Sequence, residues 1–394
     1  MHAPMASQKA AHADWLVLLA IILLGLNLRP ILASVGPLLD MIQQATAMDS
    51  SRAGLLTTLP VLAMGLCALA GVWLQRWWGE YSLVLLGVAI IGLACAARWW
   101  LQDSASLIAS AALGGLGIAL VQTLLPSFIK RRFASRASLV MGIYSTAIMS
   151  GAAMAAASVA PLAARTQWNF ALAFWALPAL FAVVLWAQAG RGLQRQRNSV
   201  HVSLPLKQGR AWMLMLFFAI GTGAYTLMLA WLPPFYTQLG WSAAQSGLLL
   251  GLLTLMEVTA GILVSLLISV CPDRRVLLYA ALGAQVLGLA ALIVAPNSLA
   301  LVAVVLIGLG IGAIFPLSLI VSLDHVEHPQ QAGAMLSFVQ GGGYALASLM
   351  PLLAGFIREQ LSALTLAWLL MLAGVAVQLL MARSFTPGSK LDLS

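Results

Sequence analysis

Apolar segments about 20 residues long recur from Trp15 to Ala382, separated by short polar breaks. Nothing else in the chain restricts its fold as strongly. A segment of that length is what an α-helix needs to cross a roughly 30 Å hydrocarbon layer. In lipid the backbone N–H and C=O groups of such a segment must be bonded within it, so these runs are expected to be helices. Only 8% of the residues are charged and 62% are hydrophobic, whereas a soluble domain carries about 25% charged residues. The sequence predicts an all-α membrane protein.

Twelve transmembrane helices are expected, at about 15–39, 53–74, 82–100, 104–128, 137–161, 170–189, 211–237, 243–270, 276–295, 298–323, 331–356 and 361–382. The first is longer than the apolar core of a signal peptide and lacks a small-x-small cleavage site, so it is expected to be retained. An even number places both termini on one side. Assigning the Lys and Arg residues to loops decides which side that is. The N-terminal side receives Lys9, Arg76, Lys130, Arg131, Arg132, Arg136, Arg191, Arg195, Arg197, Lys207, Arg210, Arg274, Arg275, Arg383 and Lys390; the other receives Arg52, Arg98, Arg165 and Arg358. Loops rich in Lys and Arg stay in the cytoplasm, so both termini are expected there. The net charge of +9 is thus a topology signal, and no nucleic-acid partner is expected. Tryptophans such as Trp77, Trp78, Trp99, Trp100 and Trp168 fall at span ends, as interface anchors do. Cys67, Cys95 and Cys271 show no paired spacing, which supports neither a disulfide framework nor a metal site, and no cofactor is expected.

The longest polar break, 190–210, divides the chain into halves of six spans each, 1–189 and 211–394, with the break as a cytoplasmic linker. The halves are related in sequence. Ser150-Gly151 through Pro161 aligns with Gln340-Gly341 through Pro351, Gly115-Leu116-Gly117-Ile118 with Gly308-Leu309-Gly310-Ile311, and Gly54-Leu55-Leu56 with Gly247-Leu248-Leu249. Matches in the same order as the spans predict a parallel duplication: two six-helix bundles related by pseudo-symmetry, the major facilitator fold, with substrate held near the midplane between them. By analogy spans 1, 4, 7 and 10 line the cavity. Pro30, Pro37, Pro126, Pro233, Pro234 and Pro316 lie in those spans, and prolines bend helices and free carbonyls.

Within Gly25-Leu26-Asn27-Leu28-Arg29-Pro30, Arg29 puts a permanent cation where hydrocarbon should be, at a cost of roughly 2.5–3.5 kcal/mol on insertion scales. A cation there calls for an anion or a wet cavity. Its planar fork suits bidentate recognition of a small anion; the other reading is a structural ion pair with Glu257. For Glu257, deep in span 8, three readings stay open: proton coupling, structural pairing, or a carboxyl kept neutral by burial. All five histidines lie in tails or loops, so a histidine relay is not expected. Asn27 is rotated about 200° from Arg29 on a straight helix, which favours Arg29 as the direct ligand unless Pro30 alters the geometry. Gln122, Tyr144, Tyr225, Trp231, Phe315, Gln340 and Tyr344 are the neutral polar and aromatic candidates. Each either touches a ligand or bonds a neighbouring helix.

Facilitators carry a Gly-x-x-x-Asp-Arg-type latch between spans 2 and 3. Here Gly71-Val72-Trp73-Leu74-Gln75-Arg76-Trp77-Trp78-Gly79 has Gln75 in the place of the acid, whereas Cys271-Pro272-Asp273-Arg274-Arg275 after span 8 keeps acid and base. Gly25–Pro30 with Ser34-Val35-Gly36-Pro37-Leu38-Leu39, Pro126-Ser127-Phe128-Ile129-Lys130-Arg131-Arg132-Phe133, Ala230-Trp231-Leu232-Pro233-Pro234-Phe235-Tyr236, and Phe315-Pro316-Leu317 with Leu323-Asp324-His325 resemble the cyanate permease family of the major facilitator superfamily. The resemblance implies a carrier in the bacterial inner membrane that moves cyanate or a similar small anion; separately from it, a monomer and proton symport are expected. A related branch resembles a 2-nitroimidazole exporter, which makes efflux of a small heteroaromatic compound the alternative. No HExxH, P-loop, paired catalytic carboxylates or nucleophile-base set is present, so an enzyme is not expected.

Overall fold

The computed structural model describes residues 4–77, 79–133, 136–189, 204–326 and 329–387, and builds them almost wholly from α-helix. Twelve helical stretches are long and apolar enough to cross a membrane. The first crossing is made of α1 (Pro4–Asn27), α2 (Pro30–Ala33) and α3 (Val35–Thr46). The next four are α4 (Ser50–Trp77), α5 (Glu80–Ala97), α6 (Ser104–Phe133) and α7 (Ala137–Arg165). The sixth joins α8 (Trp168–Ala173) to α9 (Ala176–Ala189). The second half repeats this with α10 (Gly209–Gln238), α11 (Ala243–Leu267), α12 (Arg274–Val294), α13 (Ala300–Asp324), the broken pair α14 (Pro329–Ala347) and α15 (Leu349–Leu361), and α16 (Thr365–Ala382). The expected linker residues 190–203 and the side chains of 71–78 in the first loop motif lie outside the described residues.

Prolines account for the breaks in the first and eleventh crossings. Pro30 lacks an N–H and opens α2 at the first helical position, where that N–H would have no partner. In the eleventh crossing Pro351 leaves the Ala347 carbonyl without its i+4 donor, and Thr226 Oγ1 of α10 donates to it at 3.3 Å. Neighbouring helices thus restore the bonds that a membrane interior cannot leave open.

Each half is assembled by the same pairings: α1 with α7, α4 with α6, α5 with α6 and α9, and in the second half α10 with α14, α11 with α13, α12 with α13 and α16. Glycine shows why the repeat survives in sequence. A Cβ on Gly115 would stand 2.2 Å from Pro60 Cα, and one on Gly308 would stand 2.5 Å from the Leu253 oxygen. The offset that relates Gly115 to Gly308 also relates Pro60 to Leu253, so the second and fourth helices of each bundle touch backbone to backbone at the same register.

The crossings differ in burial as two packed bundles require. The first and seventh are 67% and 78% buried, whereas the third, sixth, ninth and twelfth are 33–39% buried and present their apolar side chains outward. The bundles meet through α4 against α14 and α15 and through α7 against α11. At one end of this seam Arg358 Nη2 donates to Asp40 Oδ1 at 3.1 Å, Thr237 Oγ1 donates to Asp40 Oδ2, and Ser51 N donates to Glu359 Oε2 at 3.1 Å. This is the distal end. The opposite, terminal end brings Phe217 of α10 against Phe385, beyond α16.

The structure adds detail to two expectations. The first segment stays helical to Thr46 rather than ending near Leu39, because α3 continues outward as an amphipathic helix with Leu38, Leu39 and Ile42 buried. Arg98 lies in the turn after α5, as its loop assignment expects, but is only 1% exposed. It terminates α5, and its guanidinium turns inward, donating from Nη1 to the Ile31 carbonyl at 3.0 Å and from Nε to Ser110 Oγ at 3.2 Å.

Candidate functional site

The break in the first crossing aims Arg29. Leu28 and Arg29 lie between α1 and α2, and both Leu32 and Ala33 donate their N–H groups to the Arg29 carbonyl, at 3.0 and 2.9 Å. The side chain is therefore not carried on a straight helix, and the 200° separation from Asn27 does not apply. Asn27 Nδ2 instead donates to the Leu23 carbonyl one turn back, at 2.7 Å.

Arg29 is 3% exposed, and its guanidinium carbon stands 5.3 Å from the centre of the Tyr225 ring. A cation over an aromatic face is attracted by the ring quadrupole, the more so when desolvated. Nη1 reaches the Met64 sulfur at 4.0 Å, a weak acceptor, and Nε is buried without a hydrogen-bond partner. The Tyr344 phenol is set against the guanidinium, and Tyr144, Tyr225 and Glu257 lie within range of its charge.

Five helices from both bundles contribute to this ring: α4, α7, α10, α11 and α14. Its other feature is that polar atoms are buried with no protein partner: the hydroxyls of Tyr144 and Tyr225 and both carboxyl oxygens of Glu257. Buried polar groups in native proteins are nearly always bonded, so a cluster of orphans around one cation marks a place built for a polar ligand or water. No ion pair joins Glu257 to Arg29.

The remaining predicted residues separate into two sets. Gln340 and Tyr344 are one helical turn apart on α14 and share a face. Phe315 is 37% exposed and packs on Phe218 at 5.6 Å, whose ring meets Tyr344 edge-on at 5.3 Å, so Phe315 joins the aromatic wall behind the site. Trp231 does not join it. Six residues beyond Tyr225, it lies about 9 Å farther along α10, is fully buried, and donates its indole N–H to the Pro351 carbonyl at 2.9 Å. Its apolar string of neighbours gave no warning of that bond.

Sequence reasoning missed Met64, Phe218 and Arg98. Met64 had a signal, since the repeat offset from Glu257 points to it. Phe218 is one aromatic among many in apolar sequence.

Comparison with known proteins agrees with this architecture. A profile of the Major Facilitator Superfamily matches residues 16–351, with a second match over residues 213–390 that covers the second half alone. The cyanate transport protein CynX of Escherichia coli (strain K12) is 41% identical over 349 residues, 87% of this chain and 90% of that protein. The 2-nitroimidazole transporter of the same organism is 32% identical over 375 residues, 93% of this chain and 94% of its own. Among solved structures, the D-xylose-proton symporter superposes with a TM-score of 0.75 at 15% identity, covering 95% of this chain and 98% of that one, a likeness of fold.

Proposed function

The chain belongs to the major facilitator superfamily of membrane transporters, and we propose that it is a secondary active carrier for a small monovalent anion of the cyanate type, moved together with protons. The observation that carries this reading is the buried Arg29 guanidinium, with Nε unpartnered and ringed by orphaned hydroxyls from both bundles. An anion that accepts from Arg29 and from Tyr144, Tyr225 or Tyr344 draws the two halves onto itself. Gln122 and Gln340 offer further amide contacts, and Asn27 supports the break rather than the ligand.

Residues 1–189 and 211–394 are the two bodies that rock, and 190–210 is the cytoplasmic linker. Both termini face the cytoplasm in the bacterial inner membrane, the distal end faces outward, and a monomer suffices. Glu257 is the coupling carboxyl: its two oxygens have no hydrogen bond to give up when a proton arrives, and its charge opposes that of Arg29. The relative named for cyanate supports the substrate class.

The test is uptake of labelled cyanate by proteoliposomes. Arg29→Gln is expected to abolish it in a protein that still folds, and undiminished uptake by that variant would overturn the assignment. A second reading, efflux of a small heteroaromatic compound, is favoured by the Phe218, Phe315 and Tyr344 wall and by the relative named for 2-nitroimidazole. Drug resistance conferred by the wild type without any anion uptake would select it.

A further inference from the structure

A second arginine repeats the chemistry of Arg29 at the distal end. Arg358 of α15 has a side chain 10% exposed, its guanidinium carbon 5.4 Å from the centre of the Trp231 ring. Trp231 cannot turn away, because its indole N–H is held by the Pro351 carbonyl. One edge of the Arg358 fork is taken: Nη2 donates to Asp40 Oδ1 at 3.1 Å. The other, Nη1, is buried with no partner. Beside it lies a depression of ≈ 500 Å³ lined by Asp40, Gln43, Gln44, Thr237, Gln238 and Arg358. Apart from Asp40 and Arg358, that lining is neutral and polar.

The Asp40 carboxylate already shows what this fork accepts. A guanidinium presents donors along two edges, and a small planar or linear anion can take either. Both aromatic backings, Tyr225 and Trp231, belong to α10, so the residues that back the two cations are successive stations about 9 Å apart along the axis of one helix. The outer station also bridges the seam between bundles, since Asp40 comes from α3 and Arg358 from α15.

We propose that Arg358, backed by Trp231, is an outer docking site for the transported monovalent anion, with the Asp40 carboxylate as the occupant that the anion displaces. The proposal rests on the anion reading of the central site. Displacement frees Asp40 from Arg358 and loosens the distal closure, so arrival of the anion and opening of the seam become one event.

A mere latch and a docking site predict different signs. In right-side-out vesicles Asp40→Asn is expected to lower the external KM for cyanate about threefold, and Arg358→Gln to raise it about fivefold or more, by the loss of a buried charge contact. Arg358→Lys should fall between. Shifts of the same sign in Asp40→Asn and Arg358→Gln would overturn the proposal in favour of a latch.

A readout independent of transport uses Gln238→Cys in a chain with Cys67, Cys95 and Cys271 replaced, labelled by a membrane-impermeant maleimide. Azide, a linear monovalent anion isoelectronic with cyanate that does not carbamoylate thiols, is expected to slow labelling several-fold. Protection should vanish in Arg358→Gln and survive in Arg29→Gln. Absence of protection in the Gln238→Cys protein, or its survival in Arg358→Gln, would overturn the docking site. Protection without any cyanate uptake would instead count against the transport reading alone.

Discussion

Met64 and Glu257 occupy equivalent positions in the two bundles, related by the offset that joins Pro60 to Leu253, and both confront Arg29. Met64 meets it with a thioether at 4.0 Å and Glu257 with a carboxyl whose oxygens have no protein partner. At this one pair of repeat-related positions the first bundle carries a thioether and the second an ionisable group.

Glu257→Gln is therefore expected to leave anion binding intact while removing the response of uptake to an imposed pH gradient. Counterflow at equal pH on both sides should continue. Gradient-driven accumulation in the variant equal to that of wild type would exclude Glu257 from coupling.

The aromatic support of Arg29 can be dissected at Tyr225. Tyr225→Phe keeps the ring beneath the guanidinium and removes the unpartnered hydroxyl, so a modest rise in anion Kd, about fivefold, is expected if that hydroxyl bonds the ligand. Tyr225→Leu also removes a cation–π contact of about 2 kcal/mol for a desolvated pair, and should weaken binding further. Ligand-induced thermal stabilisation measures both, since binding to the folded state raises apparent stability.

Much of this arrangement was readable from the chain, and the rest was hidden for physical reasons. The twelve helices follow from hydropathy alone, and Arg29 stood out because a charge inside a span is costly enough to demand a purpose. Trp231 misled because an indole in an apolar run looks the same whether it faces a cavity or donates to a carbonyl 120 residues away. Arg98 misled because its position at a helix end says nothing about which way a long side chain turns. The Asp40 and Arg358 contact joins residues 318 positions apart, beyond any local pattern.

Arg98 yields a prediction of its own. Its guanidinium is bonded to the Ile31 carbonyl, within the segment that positions Arg29. Arg98→Ala removes the donor to that carbonyl in a buried setting, at a cost of about 1–3 kcal/mol. The expected result is a lower Tm together with a raised KM, as the break loses its brace. A Tm change with wild-type KM would confine Arg98 to stability.

At the terminal end His325 supplies a pH dependence whose sign can be worked out. It follows α13, is 3% exposed, donates from Nδ1 to the Val321 carbonyl at 2.7 Å, and meets the Phe385 ring at 5.8 Å. Burial holds its imidazole below the ordinary value of about 6.5, with the Arg210 charge acting in the same direction and the Val321 bond and Asp324 against it. A folded-state value below the unfolded one means that the unfolded chain binds the extra proton first. The stability His325 contributes is then fully present above the unfolded value and is lost as pH falls toward the folded one. Thermal unfolding of the purified protein should show Tm dropping between pH 7.5 and 5.5, and His325→Asn, which keeps a donor for Val321 but does not titrate, should flatten that drop. An equal drop in both proteins would remove His325 as its source. Because the ring ties the end of α13 to the segment after α16, proton uptake there should also release Phe385, detectable as faster proteolysis beyond Ala382 at the lower pH.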